Sequence, residues 1–137
     1  MKRAVFDTNV LVSGFLSPHG PPGRIVEWLR GGRVQAVLDD RIVVEYSEVL
    51  VRPSLSLPTA EVKVVLDSIR ARAFWVEGAV VSTVRALPDP DDAPFLECAL
   101  AAGVPLVTGN LRHFPKSANQ NVRVITPARF VASSVSD

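Results

Sequence analysis

One cysteine, one tyrosine, one methionine and two histidines stand among 137 residues. With Cys98 alone no internal disulfide can form, which fits a reducing cytosol. Cys98 lies inside the helical run Leu96–Ala101, where a small buried core residue is the expected reading, not a nucleophile. No apolar run free of charge is long enough to span a bilayer. Lys2 and Arg3 open the chain, but the apolar run after them stops at once at Asp7, which is not the pattern of a signal peptide. A cytoplasmic location is therefore expected. Neither sign of charge is in excess: 15 basic residues against 14 acidic give a net charge of +1. Bulk charge thus does not announce nucleic-acid binding, and such a partner must be held by a local patch or through a metal ion. There is no internal repeat, low-complexity tract or long linker, so a single domain over residues 1–137 is expected.

What is present is globular: 47% hydrophobic and 21% charged residues, rich in valine and alanine. Short apolar runs alternate with amphipathic ones, which predicts βα units around a parallel sheet. Ala4–Phe6, Val34–Leu38, Val104–Thr108 and Val122–Ile125 read as strands. Phe74–Val76 and Val80–Val81 compete for one further place in the sheet. Helices are predicted over Asn9–Leu16, Arg24–Arg30, Asp40 to about Val51, Thr59–Arg72, Asp91–Ala102 and Pro127–Ser133. Residues 17–23 read as a loop, because Pro18, Gly20, Pro21, Pro22 and Gly23 crowd them. Gly31-Gly32 and Gly103 are helix stops. Phe15, Leu16, Trp28 and Trp75 are assigned to the core, with a dimer interface as the alternative.

The acids carry the functional signal. Ala4-Val5-Phe6-Asp7 is a strand that ends in a carboxylate, and open α/β sheets bind ligands beyond the carboxyl ends of their strands. A helix cap is the competing role for Asp7, although Thr8 and Asn9 can also cap. Glu45 lies at the edge of the apolar face set by Ile42, Tyr46, Val49 and Leu50, whereas Glu48 points further toward solvent. Surface pairs one turn away, Arg41 with Glu45 and Arg52 with Glu48, are the competing explanation for both. Pro88-Asp89-Pro90-Asp91-Asp92-Ala93-Pro94 is the densest cluster. Capping and the helix dipole account for one or two of its acids, not three. Asp92 is in register with Phe95, Leu96 and Ala99, so its carboxylate sits on the core stripe and needs a partner there.

Val107-Thr108-Gly109-Asn110 repeats the first pattern, an apolar strand followed by small polar residues. Asn110 offers a carbonyl oxygen without charge, and a plain turn is its competing reading. Arg112, His113 and Lys116 follow as a solvated face or a small phosphate-contacting patch. Asp7, Glu45 and Asp92 come from three separate elements at one end of the sheet. Carboxylate oxygens with no cysteine and little histidine suit a hard cation, Mg²⁺ or Mn²⁺. Phosphodiester hydrolysis is the reaction that most naturally needs such a site.

Four segments, Phe6-Asp7-Thr8-Asn9, the Glu45 helix, Asp89-Pro90-Asp91-Asp92-Ala93-Pro94-Phe95-Leu96 and Thr108-Gly109-Asn110-Leu111-Arg112-His113-Phe114-Pro115, resemble the PIN-domain proteins. The match runs from residue 4 to about residue 131 and is closest to the toxin components of bacterial and archaeal toxin–antitoxin pairs. The resemblance implies a three-layer α/β/α fold with a central five-stranded parallel sheet. It implies a Mg²⁺- or Mn²⁺-dependent ribonuclease, usually a homodimer, silenced by a cognate antitoxin. Asp7, Glu45 and Asp92 match the acidic triad, Asp89 a frequent companion acid, and Thr8, with Thr108, the hydroxyl residues that support the site. Asn110 departs from the pattern, since many PIN nucleases carry an acid there. Three carboxylates still suffice for one divalent ion. Two rivals are weighed beside this reading. An aspartyl phosphatase of the haloacid-dehalogenase kind needs an acid two positions after Asp7, where this chain has Asn9. A PIN-like module that binds RNA or a partner protein without cleaving it fits Asn110 and the near-neutral charge.

Overall fold

The computed structural model describes residues 2–77, 87–116, 118–119 and 121–135. β1 (Lys2–Phe6) ends in three fully buried residues, Ala4, Val5 and Phe6. α1 (Thr8–Leu16) follows after one residue, and then α2 (Pro21–Gly31). β2 (Val34–Leu38) leads into α3 (Asp40–Val49), and a 3₁₀ turn at Pro53–Leu55 precedes α4 (Thr59–Arg72). β3 is Phe74–Trp75. A 3₁₀ turn at Pro90–Asp92 runs straight into α5 (Ala93–Ala102). β4 (Leu106–Val107), a 3₁₀ turn at Leu111–His113, β5 (Val124–Ile125) and α6 (Pro127–Val135) complete the order.

The five strands form one parallel sheet in the order β3-β2-β1-β4-β5. Ala4 is in register with Ala36, Phe6 with Val107, Leu38 with Trp75, and Val107 with Ile125. Helices cover both faces, giving the three layers α/β/α. A parallel sheet needs that cover because its strands are apolar on both sides. On one face the Phe6 ring meets Phe130 of α6 edge-on with centroids 5.4 Å apart, and Trp28 of α2 packs on Phe130 at 6.5 Å. Elsewhere α5 lies against β1 and β2 and touches α3. Among the described residues no helix is long and apolar enough to cross a membrane.

Several boundaries differ from those expected. α2 starts at Pro21, inside the segment read as a loop. The first turn of a helix has no partner for its N–H groups, so Pro21 and Pro22 forfeit nothing there. α2 and α5 end at Gly32 (φ 73°) and Gly103 (φ 66°), as anticipated, because this left-handed conformation favours glycine. Phe74–Trp75 takes the edge place beside β2; the competing segment Val80–Val81 lies outside the described residues. β4 and β5 are shorter than the apolar runs that contain them. Phe15 and Trp28 pack against the core, but Leu16 and Trp75 are 58% and 44% exposed, so those two are not core residues.

Candidate active site

The strand order reverses between β1 and β4, and a crevice opens at such a switch point beyond the carboxyl ends of the strands. Asp7 follows β1 there and Thr108 follows β4. The Thr108 hydroxyl donates to Asp7 Oδ2 at 2.8 Å and bridges the crevice. Asp7 occupies the N-cap position of α1, yet its carboxylate makes no capping hydrogen bond. It is turned toward Thr108 instead, and only 5% of the residue is exposed. Burial pushes the Asp7 carboxyl up, against the Thr108 hydroxyl, the nearby Asn9 and Thr8 amides and the His113 ring, which favour the charged form.

α1 and α3 bring the second acid. Thr8 Oγ1 donates a hydrogen bond to Glu45 Oε2. Glu45 is half-buried, and burial raises its pKa, followed by the charges of Asp7 and Asp91; the Thr8 bond works the other way. One residue on, the Tyr46 hydroxyl donates to the Phe6 carbonyl at the end of β1, which fixes α3 on the strand that carries Asp7. Glu48 is exposed, as expected.

Asp92 closes the 3₁₀ turn at the head of α5, above Phe95, Leu96 and Ala99, which are all buried. Its Oδ2 atom is buried and has no hydrogen-bond partner. His113 Nδ1 lies 3.1 Å from that oxygen, an ion-pair contact when the ring is protonated. The Asp92 carboxyl is pushed up to about 6, first by burial and then by the charge of Asp7, with Asp89 and Glu45 adding to it and His113 opposing it. The three acids therefore act on one another across the crevice. Among the described residues no three acidic, histidine or cysteine side chains are set closely enough to form a finished metal cage.

The site extends further than the acids. Asn9 Oδ1 accepts from the Gly109 amide at 3.2 Å, and Thr108 Oγ1 accepts from the Asn110 amide at 3.1 Å. The first of these bonds ties the loop after β4 to the start of α1, and the second closes a turn within that loop. Asp89 Oδ1 accepts from the Asp91 amide at 2.9 Å and so caps the 3₁₀ turn, while its charge still reaches Asp92. The Arg41–Glu45 pair, the competing explanation for Glu45, gives way to other partners of Arg41. Arg41 reaches across to Glu97 of α5 at 2.7 Å and back to Asp39, also at 2.7 Å. Asn9, Tyr46 and Glu97 were not legible as site-related from spacing alone. Asn9 carried a weak signal as a second capping residue after β1.

The family model described as PIN domain matches residues 3–112. The chain belongs to the PIN domain family. A search among curated proteins found no match. PIN domains are in general nucleases that use divalent metal ions. The chemistry of the donors in this PIN domain suits such an ion, although among the described residues no three of them form a closed ligand group. Asp7, Glu45 and Asp92 offer hard oxygen atoms, their mutual repulsion calls for positive charge, and Asp92 Oδ2 is a buried acceptor that no hydrogen bond satisfies. The family match contains all three acids, His113 lies just beyond its end, and Arg112 closes it. Arg112 and Lys116 are exposed and His113 is half-buried, on the segment that leaves β4 beside the acids.

Proposed function

We propose that this PIN domain is a Mg²⁺- or Mn²⁺-dependent endoribonuclease and the toxin component of a toxin–antitoxin pair. One observation supports the catalytic part: Asp7 stands buried at the switch point of the sheet, and Asp92 at the head of α5 keeps a buried oxygen without a hydrogen-bond partner. Asp7, Glu45 and Asp92 would hold the cation, with Asn110 and Asp89 as neighbouring oxygen donors. When bound, the cation supplies positive charge against the phosphodiester oxygens and a water of lowered pKa.

The chain's own residues do the rest. Thr108 and Thr8 hold the Asp7 and Glu45 carboxylates by donating one hydrogen bond to each, which limits their rotation. Phe6, next to Asp7, and Phe95 and Leu96, just after Asp92, are buried and anchor the backbone that carries the two acids. His113 stands next to Asp92, and Arg112 and Lys116 present positive charge on the same rim for an RNA backbone. A homodimer and a cognate antitoxin complete this reading, and the exposed Leu16 and Trp75 side chains are available to such partners.

Purified protein incubated with mixed RNA and Mn²⁺ should cleave it, and Asp7→Asn should abolish cleavage. Cleavage that survives in Asp7→Asn rejects the assignment. A second reading, a module that binds RNA without cutting it, is favoured by the uncharged Asn110. RNA retention without cleavage by the wild type would select it.

A further inference from the structure

α3 and α5 cross so that two rungs join them. One rung is the pair of proposed cation ligands, Glu45 on α3 and Asp92 at the head of α5. The other is Arg41, one helical turn before Glu45, and Glu97, five positions after Asp92. Arg41 Nη1 lies 2.7 Å from Glu97 Oε1. The other side of the same guanidinium holds Asp39 Oδ2, with Nη2 at 2.7 Å and Nε at 2.9 Å. Asp39 in turn accepts from the Ile42 amide at 3.2 Å and caps α3. Glu97 is 4% exposed, in the middle of a helix whose other buried residues are apolar. A carboxylate in that place is expensive unless a specific partner meets it. This ion pair therefore joins the same two helices that carry Glu45 and Asp92.

We propose that Arg41 and Glu97 are positioning residues. Their pair holds α3 against α5 at the separation that keeps Glu45 and Asp92 facing one cation. The planar fork of Arg41 spans two carboxylates at once, so the pair fixes both the cap of α3 and its distance from α5. A lysine carries the same charge but cannot grip both partners, so Arg41→Lys separates geometry from charge. This inference rests on the cation site of the proposed function.

The test is Mn²⁺ binding to the full chain, followed by electron paramagnetic resonance of the free ion, beside a thermal melt in chelator. The variants are Arg41→Lys, Arg41→Gln and Glu97→Gln, with Val131→Ala in α6 as a core lesion remote from the acids. The expected result is Mn²⁺ affinity weakened by about 10- to 100-fold in the Arg41 and Glu97 variants, the usual effect of removing a partner behind metal ligands. Arg41→Lys should lie at the mild end, and Val131→Ala should lose thermal stability with unchanged affinity. Wild-type affinity in Arg41→Lys and Arg41→Gln overturns the positioning role while leaving the cation site intact. Equal loss of affinity in Val131→Ala assigns the effect to general destabilisation and also overturns it. If the wild type itself binds no Mn²⁺, the cation site fails and this proposal fails with it.

Discussion

At the scale of single residues, the acids are poised against the stability of the empty fold. An acid whose folded pKa lies above its unfolded value subtracts stability once it is ionised. Asp92 is such a group, since burial and the charge of Asp7 raise it from 3.8 to about 6. Asp92→Asn should therefore raise the melting temperature in chelator near neutral pH. Its partial exposure screens the repulsion, so the gain is about 1 kcal/mol, or about 3 °C. Calorimetry checks this, and a fall of several degrees would make Asp92 a structural cap. Thr108→Val should do the opposite. It strips the hydrogen bond from the buried Asp7 carboxylate and from the Asn110 amide, a loss of about 1–3 kcal/mol read by urea unfolding. Cys98 is fully buried, and burial together with the neighbouring Asp39 charge pushes its thiol up to about 12. Iodoacetamide should label it only after unfolding.

Among the elements, α3 is where charge, capping and the site converge. Burial raises the Asp39 carboxyl, but the Arg41 guanidinium and the Ile42 amide more than offset it, so its pKa falls below 3.8. Ionised Asp39 thus adds stability that is fully present well above 3.8 and drains away as pH falls through its lower folded value. Comparing the wild type with Asp39→Asn in urea should show a stability gap of about 1 kcal/mol near neutral pH that closes as pH falls through the lowered Asp39 value. A gap that widens in acid would contradict the sign. The helices and strands were largely legible in the sequence because hydrophobic period and helix stops are local signals: α4 was read over the residues it occupies. Local signals failed where a partner came from elsewhere. Pro21 and Pro22 look like loop residues until the unpaired first turn of α2 is considered. Arg41 looks like a partner for Glu45 on its own helix, but the buried Glu97 of α5 outcompetes it because it has no water to fall back on.

For the whole molecule, a parallel sheet with its order reversing beside β1 gathers side chains that are far apart in the chain. Asp7 and Thr108 are 101 positions apart and share a hydrogen bond. Asp7 and Asp92 were legible because one ends a strand and the other heads a helix, and Glu45 because it lies at the edge of the apolar face of α3. His113 was legible only as part of a basic segment; its approach to Asp92 needs the loop after β4 to fold back, which no spacing rule gives. The central claim is that Asp7, Glu45 and Asp92 together hold a divalent cation. Titration calorimetry with Mn²⁺ on the wild type and on Asp92→Asn tests it most directly. The account predicts saturable binding to the wild type and its loss in Asp92→Asn with the fold intact. Equal binding by the two proteins would contradict it.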